Sequence, residues 1–377
     1  MDGELSLIRK IEYLQKGDII TAYVFVCEKT DAYAEFNGTK YAETSNIREP
    51  FDFRLHTFDF NAGELHSVKK FDVYFTLRGK RKSNFFSETV TEIKKTVEFD
   101  ESTVITLENA ISRSDRGLRL IGISDMGSTV GTDWKIWLYA THDGAPVRVY
   151  TVHVDCTKAE LIAGTPHAEP VFTPYDIQTV MDEALAVEQK GRHVVAASNA
   201  DFFDMFGDCC PSGICVSGGK IVCGEGSPNP FFGITKSGSP VIEYPSDFDV
   251  NNLEEAVGGG QIIVRDGQIS ETAPLESFGD TPHPRTAFGI DADGNVIIMI
   301  VDGRRPVWSN GASLTELAKL MIANGAVRAI NADGGGSSTI IVEKPYGLEM
   351  LNHPADLVRP MEDLVRPLFD SLIVVEK

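Results

Sequence analysis

The chain has 377 residues and a mass of 41.3 kDa, and its 42% hydrophobic and 24% charged residues are those of a globular protein of about two to three domains. That composition excludes a wholly disordered or collagen-like chain. With 35 basic against 55 acidic residues the formal net charge is −20, so nucleic acid and anionic membrane surfaces would be repelled and neither is an expected partner.

Charge is divided unevenly along the chain. Residues 1–120 carry 18 Lys and Arg against 20 Asp and Glu, a net −2, which leaves 17 against 35, a net −18, for residues 121–377. Two modules of different character are expected. The opening MDGELSLIRK puts acids ahead of apolar residues and has no signal-peptide core. The expectation is a cytoplasmic protein as written, or an exported or cell-surface one if the chain is a fragment of something longer. No apolar run approaches the roughly 20 residues needed to cross a membrane as a helix.

Residues 1–112 read as a small β-rich module whose role the sequence does not assign. Ile19 to Val26 is rich in β-branched and aromatic residues, Asn37-Gly38 is a two-residue hairpin signal, and Phe71 to Leu77 alternates apolar with polar. The basic cluster Arg78, Lys80, Arg81, Lys82 reads as a solvated turn. Residues 113–133 mix Gly, Ser, Arg and Asp with little periodicity and are expected to be a linker, leaving 134–377 as the main domain.

In that domain Lys135 to Ala140 and Val147 to Asp155 flank a turn rich in Asp, Gly and Pro, which predicts a hairpin. Thr173-Pro174 offers an N-cap and first-turn proline for a helix with Ile177, Val180, Met181, Ala184 and Leu185 on one face. A second helix begins at Ser313, where Ser313 and Glu316 form a capping box ahead of Leu314, Leu317, Ala318, Met321 and Ile322. No glycine fingerprint follows a strand, and hairpin signals outnumber β-α-β signals. The predicted fold is therefore α+β, a mixed or antiparallel sheet with a few packed helices.

Each predicted helix runs into an apolar strand that ends in the same tripeptide, Asn199-Ala200-Asp201 and Asn331-Ala332-Asp333. Polar residues at strand ends are held rigidly yet remain reachable, so these two segments are expected to meet in one cleft. The second runs on into Gly334, Gly335 and Gly336, whose N–H groups could form a concave nest for a phosphate or oxyanion. Arg285 and Arg304 stand among turn residues in an acidic region, a placement suited to clamping an acidic ligand. His283, between prolines, reads as loop-shaping, and Asp302 opens an Asp-Gly turn. Four of the six cysteines, Cys209, Cys210, Cys215 and Cys223, fall close together. The adjacent pair fits a zinc site badly, and local disulfides or half-buried thiols remain open.

The segments NADFFD (199–204), PSGICVSGGKIV (211–222), HPRTAFGID (283–291), VDGRRP (301–306), NADGGGSST (331–339) and LVRPLFDSLIV (364–374) together resemble the bacterial phosphodiester glycosidase family over about residues 120–377. The family more often has Asn-Gly before its Phe pair and a bulky apolar residue between Asn and Asp before its glycines. Alanine stands at both places here, Ala200 and Ala332. The resemblance implies hydrolysis of a sugar-1-phosphodiester of the N-acetylglucosamine-1-phosphodiester type at the anomeric C–O bond, in glycan, exopolysaccharide or other glycopolymer processing. It also implies a sugar-phosphodiester or phosphoglycan substrate.

Such a reaction needs a carboxylate by the anomeric carbon and cations or N–H donors round the departing phosphate. Asp333 is expected as that carboxylate, with Asp302 and Asp201 in reserve. Arg285 and the three glycines are expected to hold phosphate, with Arg304 as a second clamp. Asn199, Asp201, Asn331, Ser337 and Ser338 are expected to bind sugar or orient the acid, and Phe203 or its neighbour Phe202 to stack on the sugar. Two rivals stand beside this: a glycan- or anion-binding module without turnover, and a metal-dependent phosphodiesterase in which Asp201, Asp302 and Asp333 hold Ca²⁺ or Mg²⁺ and sugar 1-phosphate is released.

Overall fold

The computed structural model describes residues 8–26, 30–42, 45–48, 54–78, 90–274, 280–359 and 362–377. It divides into two compact units, Met1–Ser112 and Arg113–Lys377. Sheet dominates both, with four α-helices among the described residues.

The first unit has a five-stranded and a four-stranded sheet. Asn37 and Gly38 both take positive φ, 50° and 73°, which turns Thr30–Phe36 back into Thr39–Ala42 as the pair predicts. Phe36, Phe58, Phe60, Phe71 and Phe75 pack into its core. The basic cluster from Lys80 to Lys82 lies outside the described residues.

The second unit is layered helix, sheet, sheet, helix, and alternation along its strands shows why. Val296–Val301 is apolar throughout and fully buried. Val296, Ile298 and Ile300 face one core, while Ile297, Met299 and Val301 face another. Period-two side chains thus bury both faces of one strand. The strand is central in an eight-stranded antiparallel sheet, in the order 119–129, 132–140, 146–154, 296–301, 285–291, 326–332, 261–265, 268–269. Helix Leu314–Ala323 covers the outer face through Leu314, Leu317, Ala318 and Met321. On the inner face lies a five-stranded antiparallel sheet of 159–164, 371–376, 194–199, 340–344 and 347–350. Leu372 and Val374 point toward the larger sheet, and Ile373 and Val375 point toward helix Val180–Gln189. Burying one such side chain stabilises by about 1.5–3 kcal/mol. A third sheet, of 220–223, 215–217, 253–258, 231–235 and 240–243, flanks these layers.

Three expectations need correction or refinement. The sheets of this unit are antiparallel rather than mixed. Residues 113–133 are not a linker. Arg119–Thr129 is the edge strand of the large sheet, and before it Arg116 donates from Nε and Nη2 to the buried Glu316 carboxylate at 2.9 and 2.6 Å. An arginine pairing the capping-box glutamate docks the segment that composition alone made to look free. The first helix starts at Val180 with Thr179 as N-cap, not at Thr173, because Gln178 exchanges backbone bonds of 3.0 and 2.8 Å with Leu368 and is held extended. The second helix has its predicted capping box, Ser313 with Glu316.

Candidate functional site

The two Asn-Ala-Asp segments leave different sheets and meet. The Asp333 N–H donates to the Ala200 carbonyl at 2.9 Å. Asn199 Nδ2 donates to the Asp333 carbonyl at 2.7 Å, and Asn199 Oδ1 accepts the Thr286 hydroxyl at 2.9 Å and the Thr339 N–H at 3.0 Å. With no exposed surface, Asn199 is a brace between the sheets at Asp333 rather than a surface group.

Asp333 is partly exposed at the mouth of this junction. Burial pushes its carboxyl up to about 6. The Ser337 hydroxyl, the Arg366 guanidinium, the Gly334 N–H and the Arg304 guanidinium all act the other way, favouring the charged form. The two arginines reach it through the glycines. Gly335 has φ +65°, and a Cβ there would lie 3.1 Å from Arg304 Nη1, so glycine lets this guanidinium settle on the loop. A Cβ on Gly336 would collide with the Asp356 carboxylate and the Arg366 guanidinium. Arg366 binds Asp356 Oδ2 through Nε and Nη2 at 3.1 and 2.6 Å, and its Nη1 donates to the Ser337 hydroxyl oxygen at 3.2 Å. Arg304 is exposed. One carboxylate, on a residue of intermediate exposure, therefore lies beside two guanidinium groups.

The nest expected from the glycines is modified by the fold. The Gly335 N–H is taken by the Pro284 carbonyl at 3.0 Å and the Gly334 N–H by Asp333, so the run chiefly permits close approach of side chains. Ser337 and Ser338 are buried; the Ser338 carbonyl accepts Asn352 Nδ2 at 2.9 Å.

Arg285 is 7% exposed, and its guanidinium donates to the carbonyls of Ala312 and Thr281, each at 3.0 Å. These bonds secure the 281–312 loops. Asp302 is also corrected. It is 1% exposed and accepts from the Tyr150 hydroxyl at 2.8 Å, Trp308 Nε1 at 2.9 Å, the His353 N–H at 3.1 Å and Asn352 Nδ2 at 3.1 Å. A carboxylate so surrounded organises its loop. Asp201, 2% exposed, accepts the N–H groups of Phe202 and Gly213. Asn331 lies 4% exposed on a strand, with its carbonyl taken by the Gly260 N–H. Phe203 packs against the core of helix Val180–Gln189, and the Phe202 ring covers Gly260. His283 pairs its backbone with Ala312, and burial together with Arg285 and Arg304 lowers its imidazole to about 4, leaving it neutral at pH 7. Among the described residues no three His, Cys, Asp or Glu side chains are grouped to hold a metal ion, and Asp201 and Asp302 spend their oxygens on protein donors.

Arg366, Asp356 and Asp370 were not among the expected site residues. The criterion that singled out Arg285 and Arg304, an arginine at a strand end in an acidic region, applies equally to Arg366 ahead of Ser371–Glu376.

Residues 192–374 match the family model described as phosphodiester glycosidase, a shorter stretch than the expected 120–377. Over 165 residues the chain is 33% identical to N-acetylglucosamine-1-phosphodiester alpha-N-acetylglucosaminidase of Bos taurus, and over 163 residues 28% identical to the Homo sapiens protein of that name. Each alignment covers 39% of this chain and 31% of the relative, so the match spans about a third of these curated proteins. Among solved structures, the catalytic domain of the zebrafish protein of that name, auto-inhibited by its pro-peptide, has a TM-score of 0.52 at 23% identity. That match covers 69% of this chain and 88% of the other, and it shows a shared fold.

Proposed function

We propose that the protein hydrolyses a sugar-1-phosphodiester of the N-acetylglucosamine type at the anomeric C–O bond, a reading supported by the match of residues 192–374 to the phosphodiester glycosidase model. The observation that carries this reading is the Asp333 carboxyl, whose charged form is favoured by the neighbouring Arg366 and Arg304 guanidinium groups.

Asp333, ionised above about pH 6, stands by the anomeric carbon and stabilises the positive charge that develops as the C–O bond breaks. The bonding electrons leave with the phosphate oxygen, and Arg304 and Arg366 hold the departing phosphate. A phosphate monoester is a good leaving group, so no strong general acid is required. Water supplies hydroxide to the sugar carbon and a proton to the phosphate. The Ser337 hydroxyl, which bonds to Asp333 and accepts from Arg366, keeps acid and cation in register.

Hydrolysis in ¹⁸O-water tests the reading. The expected result is label in the released sugar, none in the phosphate monoester, and loss of turnover by roughly 10³-fold or more in Asp333→Asn. Label in phosphate, or full activity in Asp333→Asn, would overturn it.

A further inference from the structure

Behind Asp333 the interior holds two carboxyl groups that the hydrolytic step does not use, Asp201 and Asp370, each 2% exposed. Asp201 is wrapped by the amides of Phe202 and Gly213. Asp370 directs Oδ1 at the Asp201 N–H, 2.9 Å away, while its Oδ2 is buried with no hydrogen-bond partner. The Asp370 carbonyl accepts the Ala200 N–H at 3.3 Å, and the Ala200 carbonyl accepts the Asp333 N–H at 2.9 Å. Asp370 thus holds, from both its backbone and its side chain, the dipeptide on which Asp333 hangs.

A charged oxygen at the position of Oδ2 would be desolvated and uncompensated, which is among the costliest arrangements a fold can contain. The ionisable groups facing it are acidic or thiol: Asp201 and Asp333 at the ends of their strands, Glu183 on helix Val180–Gln189, and Cys215 and Cys223 on their hairpin. Arg304 and Arg366 act on Asp333. We propose that Asp370 is a positioning residue for the hydrolysis described above, holding the Ala200–Asp201 dipeptide as a neutral acid and leaving the negative charge of the cluster on Asp333.

The proposal rests on the hydrolytic reading, and it orders the carboxyls by their neighbours: the groups with no cation beside them keep protons, and the one beside two guanidiniums ionises. Burial pushes Asp370 up to about 7; the bond from the Asp201 N–H opposes this and the charge of Asp333 adds to it. Ionisation of Asp370 therefore sets a second negative charge beside Asp333 and disturbs the ladder that positions it. Activity should be lost on the alkaline side as well as the acid side.

The test compares wild type with Asp370→Asn, which stays neutral and keeps an acceptor for the Asp201 N–H. With the methyl phosphodiester of N-acetylglucosamine 1-phosphate as substrate, wild-type kcat/KM should fall roughly tenfold per unit above about pH 7. Asp370→Asn should retain its activity there while keeping the acid limb. An unchanged alkaline limb in the variant, or a loss by one factor at every pH, overturns the proposal. Should neither protein turn over, the hydrolytic reading fails and infrared spectroscopy decides the proton alone. A protonated-carboxyl band present at pH 6, lost by pH 9 and missing from the variant supports the proposal; an identical band in both proteins overturns it.

Discussion

Asn199 and Asp333 lie 134 positions apart in the chain, yet the amide of one donates to the carbonyl of the other at 2.7 Å and ties two sheets together. The three bonds made by this fully buried side chain go to Asp333, Thr286 and Thr339. Removing them strands buried donors and acceptors, each costing roughly 1–3 kcal/mol. Asn199→Ala should therefore lower stability by about 2–4 kcal/mol in urea denaturation. A variant as stable as wild type but with weakened sugar binding would show that Asn199 meets substrate after all.

The arginines divide by role. Arg304→Ala and Arg366→Ala should each reduce kcat/KM by roughly 10²–10³-fold, the usual effect of removing a charge-stabilising donor. Melting should change little for the exposed Arg304. Arg285→Ala, by contrast, removes the guanidinium donor from the Thr281 carbonyl and one of the two donors to the Ala312 carbonyl, and should show mainly as a lowered Tm. The two readouts, kinetics and calorimetry, should rank the three variants in opposite orders.

Gly336→Ala tests how closely the loop is approached. The new methyl would meet the Asp356 carboxylate and the Arg366 guanidinium, whose mutual pairing resists a simple swing away. Arg366 should be displaced from Ser337 and with it from Asp333. Activity should drop more than tenfold while the protein still folds, and sugar release measured beside a thermal melt separates these effects.

Acidity should act on activity and on stability in opposite directions. Because Asp333 must be charged, kcat/KM should fall about tenfold per unit below pH 6. Stability runs the other way across neutral pH. Burial raises Glu255 and Asp370 to about 7, so between roughly pH 4 and 7 the fold keeps protons that the unfolded chain has released. Their contribution is present at the acid end of that window and is lost as pH rises through 7. Melting temperatures at pH 5.5 should exceed those at pH 8; equal values would mean these carboxyls are ordinary in the fold.

Residue order by itself determined the local features, because they depend on neighbours a few positions away. The Asn37-Gly38 turn needs only two residues that tolerate positive φ, and the Ser313 to Glu316 cap closes within one helical turn. The twin Asn-Ala-Asp endings marked where two strands would meet. Which polar groups remained available was decided only in three dimensions. Arg285 and Asp302 look as reactive in the sequence as Arg304 and Asp333, but partners brought from distant segments saturate them: Ala312 and Thr281 for the one, Tyr150, Trp308, Asn352 and His353 for the other. Arg366 and Asp370 came into view for the same reason. A side chain's chemistry is set by what competes for its hydrogen bonds and its water, and that competition exists only once the chain has folded.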